Sequence, residues 1–276
     1  MTDIGYFIFH PFTIPLMQRA ILAALATGIV CALLSCFLVL KGWSLMGDAI
    51  SHAVLPGIVL AFLAGIPIII GAFVSGLFCS VATGFIKENS RIKEDTVMGI
   101  VFSGMFAFGL VIFSKVDTSQ HLNHILFGSV LGTSYAELIQ IIFIAAVVSI
   151  IVIIKRRDLM LYCFDPVQAR VVGLPVRLLH YGLLSILALT IVGSLKAAGV
   201  ILVIAMLIAP GITAFLISKR FERMLVIAVL ISVFSTVMGT LISYHLDAST
   251  SACIVILQAT IFVFTQSYVY IKSRQN

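Results

Sequence analysis

Long apolar runs follow one another down this chain, each able to cross a bilayer, and that repetition leaves very few folds open to it. A helix needs about 20 apolar residues to cross a hydrocarbon core of roughly 30 Å. By that rule nine runs qualify: 18–40, 48–65, 67–86, 96–115, 135–154, 177–193, 196–218, 222–244 and 251–271. Lipid offers no partners for peptide N–H and C=O groups, so each run is expected to be a helix that bonds its own backbone. The expected class is therefore an all-α polytopic membrane protein. With 61% hydrophobic and only 10% charged residues, the composition is far from that of a soluble domain. The connections between runs are too short to hold a folded unit, so residues 1–276 are expected to form one transmembrane domain.

The net charge of +6 is explained by position. The basic residues are Lys41; Lys87, Arg91 and Lys93; Lys155, Arg156 and Arg157; Arg170 and Arg177; Lys219, Arg220 and Arg223; and Lys272 and Arg274. Threading nine spans with the C-terminus inside places all of these on the cytoplasmic face and the N-terminus outside. They read as topology signals, and no nucleic-acid partner is expected. The tightest join lies between Gly193 and Lys196, and an eight-span count is the alternative there. The N-terminal stretch has neither a basic flank nor a small-residue cleavage site, so no removed signal peptide is expected. The five cysteines, Cys31, Cys36, Cys79, Cys163 and Cys253, show no CxxC spacing and are expected to be small apolar residues.

Among titratable residues inside the spans, Asp48 and His52 stand first. They lie in "KGWSLMGDAISHAVLPGIVLAFLAG", four residues apart, so one helix face carries both. A charge at mid-membrane costs at least about 2.5–3.5 kcal/mol and is normally paired or turned to a cavity. One reading is an Asp–His hydrogen bond that locks the helix. The other is a ligand pair, carboxylate plus imidazole, suited to Mn2+, Fe2+ or Zn2+. Ala49, Ala53, Gly57, Ala61 and Gly65 form a small-residue stripe on the same run. That stripe suits close packing either within the chain or against a second copy, which would bring two Asp–His pairs to one site. Pro56 has no N–H to offer the His52 carbonyl, which could leave that oxygen facing a cavity.

A second informative stretch is "FDPVQARVVGLPVRLLHYGL". Asp165 can cap a helix, Pro166 suits its first position, and Gly173 with Pro175 ends it after about two turns. This short cytoplasmic helix either covers the underside of the membrane domain with Val167, Val171 and Val172 or plugs into a cytoplasmic partner. Pro210 and Gly211 sit inside a span and suggest a kink or hinge. His121 and His124 are expected on the outer surface, and His245 and Asp247 at the outer end of the eighth span. No P-loop, HExxH or GxSxG motif is present, so neither ATP binding by a P-loop nor a recognisable hydrolase is expected of this chain. An intramembrane metalloenzyme would need three ligands and a base, and the chain offers one Asp and one His.

"LKGWSLMGDAISHAVLPG", "FDPVQARVVGLP" and "AAGVILVIAMLIAPGITAFLISKRF" resemble the permease subunit of the manganese, zinc and iron ABC importers, and the likeness runs along nearly the whole chain. GDAISHA is its most specific segment, and the manganese and chelated-iron branch is the nearest. The resemblance implies a type II importer fold, similar to the vitamin B12 importers but without their first helix. It implies a homodimer in the bacterial cytoplasmic membrane, a cytoplasmic ABC ATPase dimer and an extracytoplasmic metal-binding protein, with no cofactor held by this chain. The family's metal-pathway residues map onto Asp48 and His52. Its coupling helix maps onto Asp165, Pro166, Val167, Gln168, Ala169, Arg170 and Gly173. The function so implied is ATP-driven import of a divalent transition metal, Mn2+ first, with Fe2+ or Zn2+, or an ATP-independent metal transporter, as alternatives.

Overall fold

The computed structural model describes residues 13–43, 45–115 and 134–275, and every regular element among them is helical. In chain order these are α1 (Pro15–Lys41), α2 (Met46–Ala53), α3 (Leu55–Leu63), α4 (Ile68–Glu88), α5 (Glu94–Phe113), α6 (Tyr135–Ile154), α7 (Arg156–Phe164), α8 (Pro166–Val171), α9 (Val176–Ile217), α10 (Phe221–Leu246) and α11 (Thr250–Gln275). His121 and His124 lie outside the described residues.

Nine helical segments among the described residues are long and apolar enough to span a bilayer, with α2 and α3 together making one and α9 making two. The join between the two halves of α9 settles eight against nine. His180 packs edge-on to Trp43, with ring centroids 5.6 Å apart, while Phe215 and Leu216 line a cavity with Leu40. A straight helix would carry 35 residues over roughly 50 Å. Both ends of α9 nevertheless meet the chain at residues 40–43, so the helix turns back on itself. The turn is at Gly199, whose φ of 75° and ψ of 162° are open to glycine and closed to residues with a Cβ.

The centre of the bundle is α1. Its apolar window is 78% buried, against 11% for α11 and 17% for α5, so α1 is enclosed by protein while the other two face outward. Pro15 starts α1, and Gly42 ends it in the left-handed conformation with its N–H bonded to Val39 O at 3.2 Å. The halves of α9 and α10 pack round α1 through small residues and hydroxyls. Ser35 Oγ accepts from Gly211 N at 2.9 Å and donates to Ile208 O at 3.2 Å, and Ser232 Oγ donates to Gly28 O at 2.8 Å. Such contacts suit a medium in which lipid tails are as apolar as leucine and only close fit and hydrogen bonds hold helices together. The cysteines are all free thiols, four buried and Cys253 half-buried.

Candidate functional site

Every residue of α2 is buried except Asp48 and His52. Helical geometry places both on one face, and packing of the other positions leaves that face pointing out of the protomer. The side chains are 38% and 39% exposed, with His52 Nε2 standing 3.3 Å from Asp48 Oδ1. A tight charge-assisted bond would be about 2.7–2.9 Å, so this pair is loosely held and its lone pairs stay accessible. The depth is set by neighbours. The His52 ring lies 6.4 Å from Phe102 and 5.2 Å from Phe106, which occupy the middle turns of α5. The pair therefore sits within the bundle's apolar length, with His52 on an aromatic wall at the middle turns of α5. Among the described residues no group of three His, Cys, Asp or Glu side chains comes together, so around this pair they offer two candidate ligand groups.

The small-residue stripe packs within the chain, against α4. A Cβ on Gly57 would collide with the carbonyl of Gly71 on α4, and one on Gly71 with the carbonyl of Gly57. Ser75 Oγ on α4 donates to Ala53 O at 2.7 Å, and Ala49, Ala53 and Ala61 are buried, while Gly65, at φ 67°, ends the run on the surface. Stripe and ligand pair thus point different ways from the same run: the stripe binds α4, and the pair looks outward. At Pro56 the helix is interrupted at Val54, whose φ of −70° and ψ of −23° keep the chain helical through the junction. Pro56 is met by α5 at Gly109, where an added Cβ would lie 2.9 Å from the proline ring.

On the cytoplasmic side α7 and α8 form a bent arm. Asp165 Oδ1 accepts from Val167 N at 2.9 Å and Gln168 N at 3.0 Å, Pro166 opens α8, and Gly173 at φ 86° closes the turn. Ala169 is buried, whereas Val167, Val171 and Val172 are 70%, 81% and 64% exposed. The packing of these valines against the membrane domain, one of the two expectations, is therefore not what the fold has. Arg170 stands in the last turn of α8. Pro210 is buried in the second half of α9, which stays helical through it and is clipped to Ser35 one residue on; the helix departs from helical geometry at Gly199 instead. Asp247, at φ 50°, ends α10 next to His245, both exposed.

A cluster that sequence reasoning missed joins the arm to the approach of α2. Tyr162 Oη on α7 and His180 Nδ1 on α9 are 2.6 Å apart, Lys41 Nζ lies 4.3 Å over the Tyr162 ring, and Trp43 packs on His180. Beside it, burial pushes the Cys163 thiol up to about 12, only partly opposed by Lys41. These residues come from three separated stretches, and nothing local marks them as partners.

This is the architecture of a membrane permease, a multi-pass transport subunit of the bacterial cytoplasmic membrane. The model of the ABC 3 transport family matches residues 13–268, and the chain belongs to that family. It is 69% identical over 96% of its length, and 89% of the relative's, to the chelated iron transport system membrane protein YfeD of Yersinia pestis. It is 49% identical over 94% of its length, and 84% of the relative's, to the manganese transport system membrane protein MntB of Synechocystis sp.. Its fold matches a chain in the solved structure of PsaBC from Streptococcus pneumoniae in complex with Fab, with a TM-score of 0.85, 34% identity, and 98% and 99% of the two chains covered.

Proposed function

We propose that this chain is the permease of an ATP-driven importer of divalent transition metal, with Mn2+ as the first cargo to test and Fe2+ beside it. The observation that carries this is the Asp48–His52 pair: two ligand groups within the bundle's apolar length, outward-facing on an otherwise buried helix. Two ligands cannot replace a hydration shell, and a second copy brought face to face supplies four, with water filling the rest. The names of relatives support both metals, iron in Yersinia pestis and manganese in Synechocystis sp..

In this mechanism a metal-binding protein docks on the outer side and releases the ion into a chamber between two permeases. Asp48 Oδ1 and His52 Nε2 exchange their mutual contact for the ion. Loose ligation is an advantage here, because a transit site must also let go. A pair of ATPase subunits grips the exposed valines of α8 from below. Its closure moves the arm, and the movement reaches α2 through Tyr162, His180, Lys41 and Trp43, so that access alternates between faces.

The test is uptake of radiolabelled Mn2+ by metal-starved cells lacking other importers, with unlabelled Fe2+ and Zn2+ as competitors. Wild type is compared with Asp48→Ala and His52→Ala at matched membrane levels. Loss of uptake in both, with an ATPase still co-purifying, is the expected result. Near-normal uptake in both makes the pair structural, and absence of any co-purifying ATPase favours an ATP-independent transporter.

A further inference from the structure

Two adjoining cavities open on the cytoplasmic side, between α7, the end of α9 and the start of α10. The first, about 620 Å3, is lined chiefly by Leu40, Met160, Leu161, Phe215, Leu216 and Phe221. The second, about 600 Å3, shares Met160, Leu161 and Phe221 with it and is otherwise lined by Arg156, Arg157, Arg220, Glu222 and Arg223. Lys219 stands on the rim of the first. Arg156 pairs with Glu222 at 3.4 Å and Lys155 with Asp158 at 3.3 Å. Among the described residues, Arg157, Arg220 and Arg223 have no carboxylate at salt-bridge distance.

The position matters as much as the charge. Arg156 and Arg157 follow the span that ends at Ile154 with only Lys155 between, and Ser218, Lys219 and Arg220 separate the spans Ala198–Ile217 and Phe221–Leu246. The apolar cavity takes Phe215 and Leu216 from the last turn of a span, and the guanidinium groups stand just beyond the ends of the spans, where phospholipid headgroups meet the hydrocarbon. We infer that these joined cavities are a binding site for an anionic phospholipid of the inner leaflet, its phosphodiester held by Arg157, Arg220 and Arg223 and its acyl chains in the groove beneath. A basic pocket between helices at the cytoplasmic boundary is suited to anionic headgroups, and arginine grips phosphate in a fork. A protein partner would take the charge but has no need of a groove continuous with it; a diacyl phosphate fills both. The inference does not depend on which metal is carried. It places a lipid against α7, whose opposite side bears Tyr162, so the lipid would brace the coupling arm.

The permease purified from bacterial membranes in mild detergent is titrated with phosphatidylglycerol and, separately, phosphatidylcholine, and bound lipid is counted by native mass spectrometry. Phosphatidylglycerol should bind at least about tenfold tighter than phosphatidylcholine, and Arg220→Gln with Arg223→Gln should weaken it roughly tenfold to thirtyfold, on the scale of one surface cation per step. Leu216→Trp, which fills the groove and leaves the charges, should also lose the diacyl lipid, and Lys115→Gln, just past the far end of α5, should not. Equal binding of the two lipids, or equal loss in the Lys115 variant, overturns the site in favour of unspecific charge attraction. Retained lipid in the Arg220 and Arg223 variant, with loss of a co-purifying ATPase instead, overturns it in favour of a protein-docking face.

Discussion

Two short helices of this permease, α2 and α8, treat their side chains in opposite ways. Along α2, inside the membrane, the apolar and small residues are buried and the charged pair Asp48 and His52 looks out. Along α8, in the aqueous phase, the alanine is buried and valines at 70% and 81% exposure look out. Each helix presents the residues its surroundings least favour: ionisable groups toward lipid, branched apolar groups toward water. Neither face is comfortable in an isolated protomer. The lesson is that a mismatched face marks a surface for something else to cover, and under the proposed function the sign of the mismatch tells what: an ion and a second ligand set for Asp48 and His52, a groove on a partner for the valines.

The sharpest way to break this comparison is at the ligand pair. Asp48→Ala and His52→Ala should each cut metal uptake by at least about tenfold to a hundredfold, the range lost when a metal site is disturbed, with membrane levels unchanged; the double variant should be little worse than either single one, since half a ligand pair is no pair. On the other helix, Val171→Asp should strip the ATPase from the purified complex, a loss of roughly 2–4 kcal/mol if this valine fills a pocket at the centre of the contact. Pull-down at rising detergent and salt measures it, and an undiminished yield would show that the valines face water for no partner.

The buried side of the same membrane run provides the contrast. Gly57→Val, on the stripe, should destabilise by about 1–3 kcal/mol or more because it forces α4 away, and it should show in thermal denaturation without any selective effect on metal competition. The smallest expected effect is at the link between the two helices. Tyr162→Phe removes a 2.6 Å hydrogen bond to His180 worth about 1 kcal/mol. ATPase co-purification and ATP turnover should hold while metal moved per ATP falls several-fold; unchanged stoichiometry would make the cluster a packing feature only.

Much of the fold was legible. The runs read at 48–65 and 135–154 correspond to helices at Met46–Leu63 and Tyr135–Ile154, because the cost of unbonded backbone in lipid makes length and hydropathy nearly sufficient. The α8 boundaries were readable from Asp165, Pro166 and Gly173, since capping is a local matter of side chain to N–H geometry. The stripe from Ala49 to Gly65 was ambiguous, because four-residue spacing states that helices approach closely and not which helix approaches. The Trp43, Tyr162 and His180 cluster had no local signature at all: its bonds join residues 18 and more apart through the fold.

The amino-acid sequence by itself determined where the membrane spans lie and that an aspartate and a histidine share one helix face. Those are sums of short-range costs along the chain. Tertiary structure decided that this face looks out of the protomer, that α9 folds back at Gly199, and that arginines from α7 and α10 close over one apolar groove. The physical reason is that lipid and protein interior are equally apolar. Hydropathy therefore cannot say which side of a membrane helix meets a neighbour, and only the fit of one helix surface into another does.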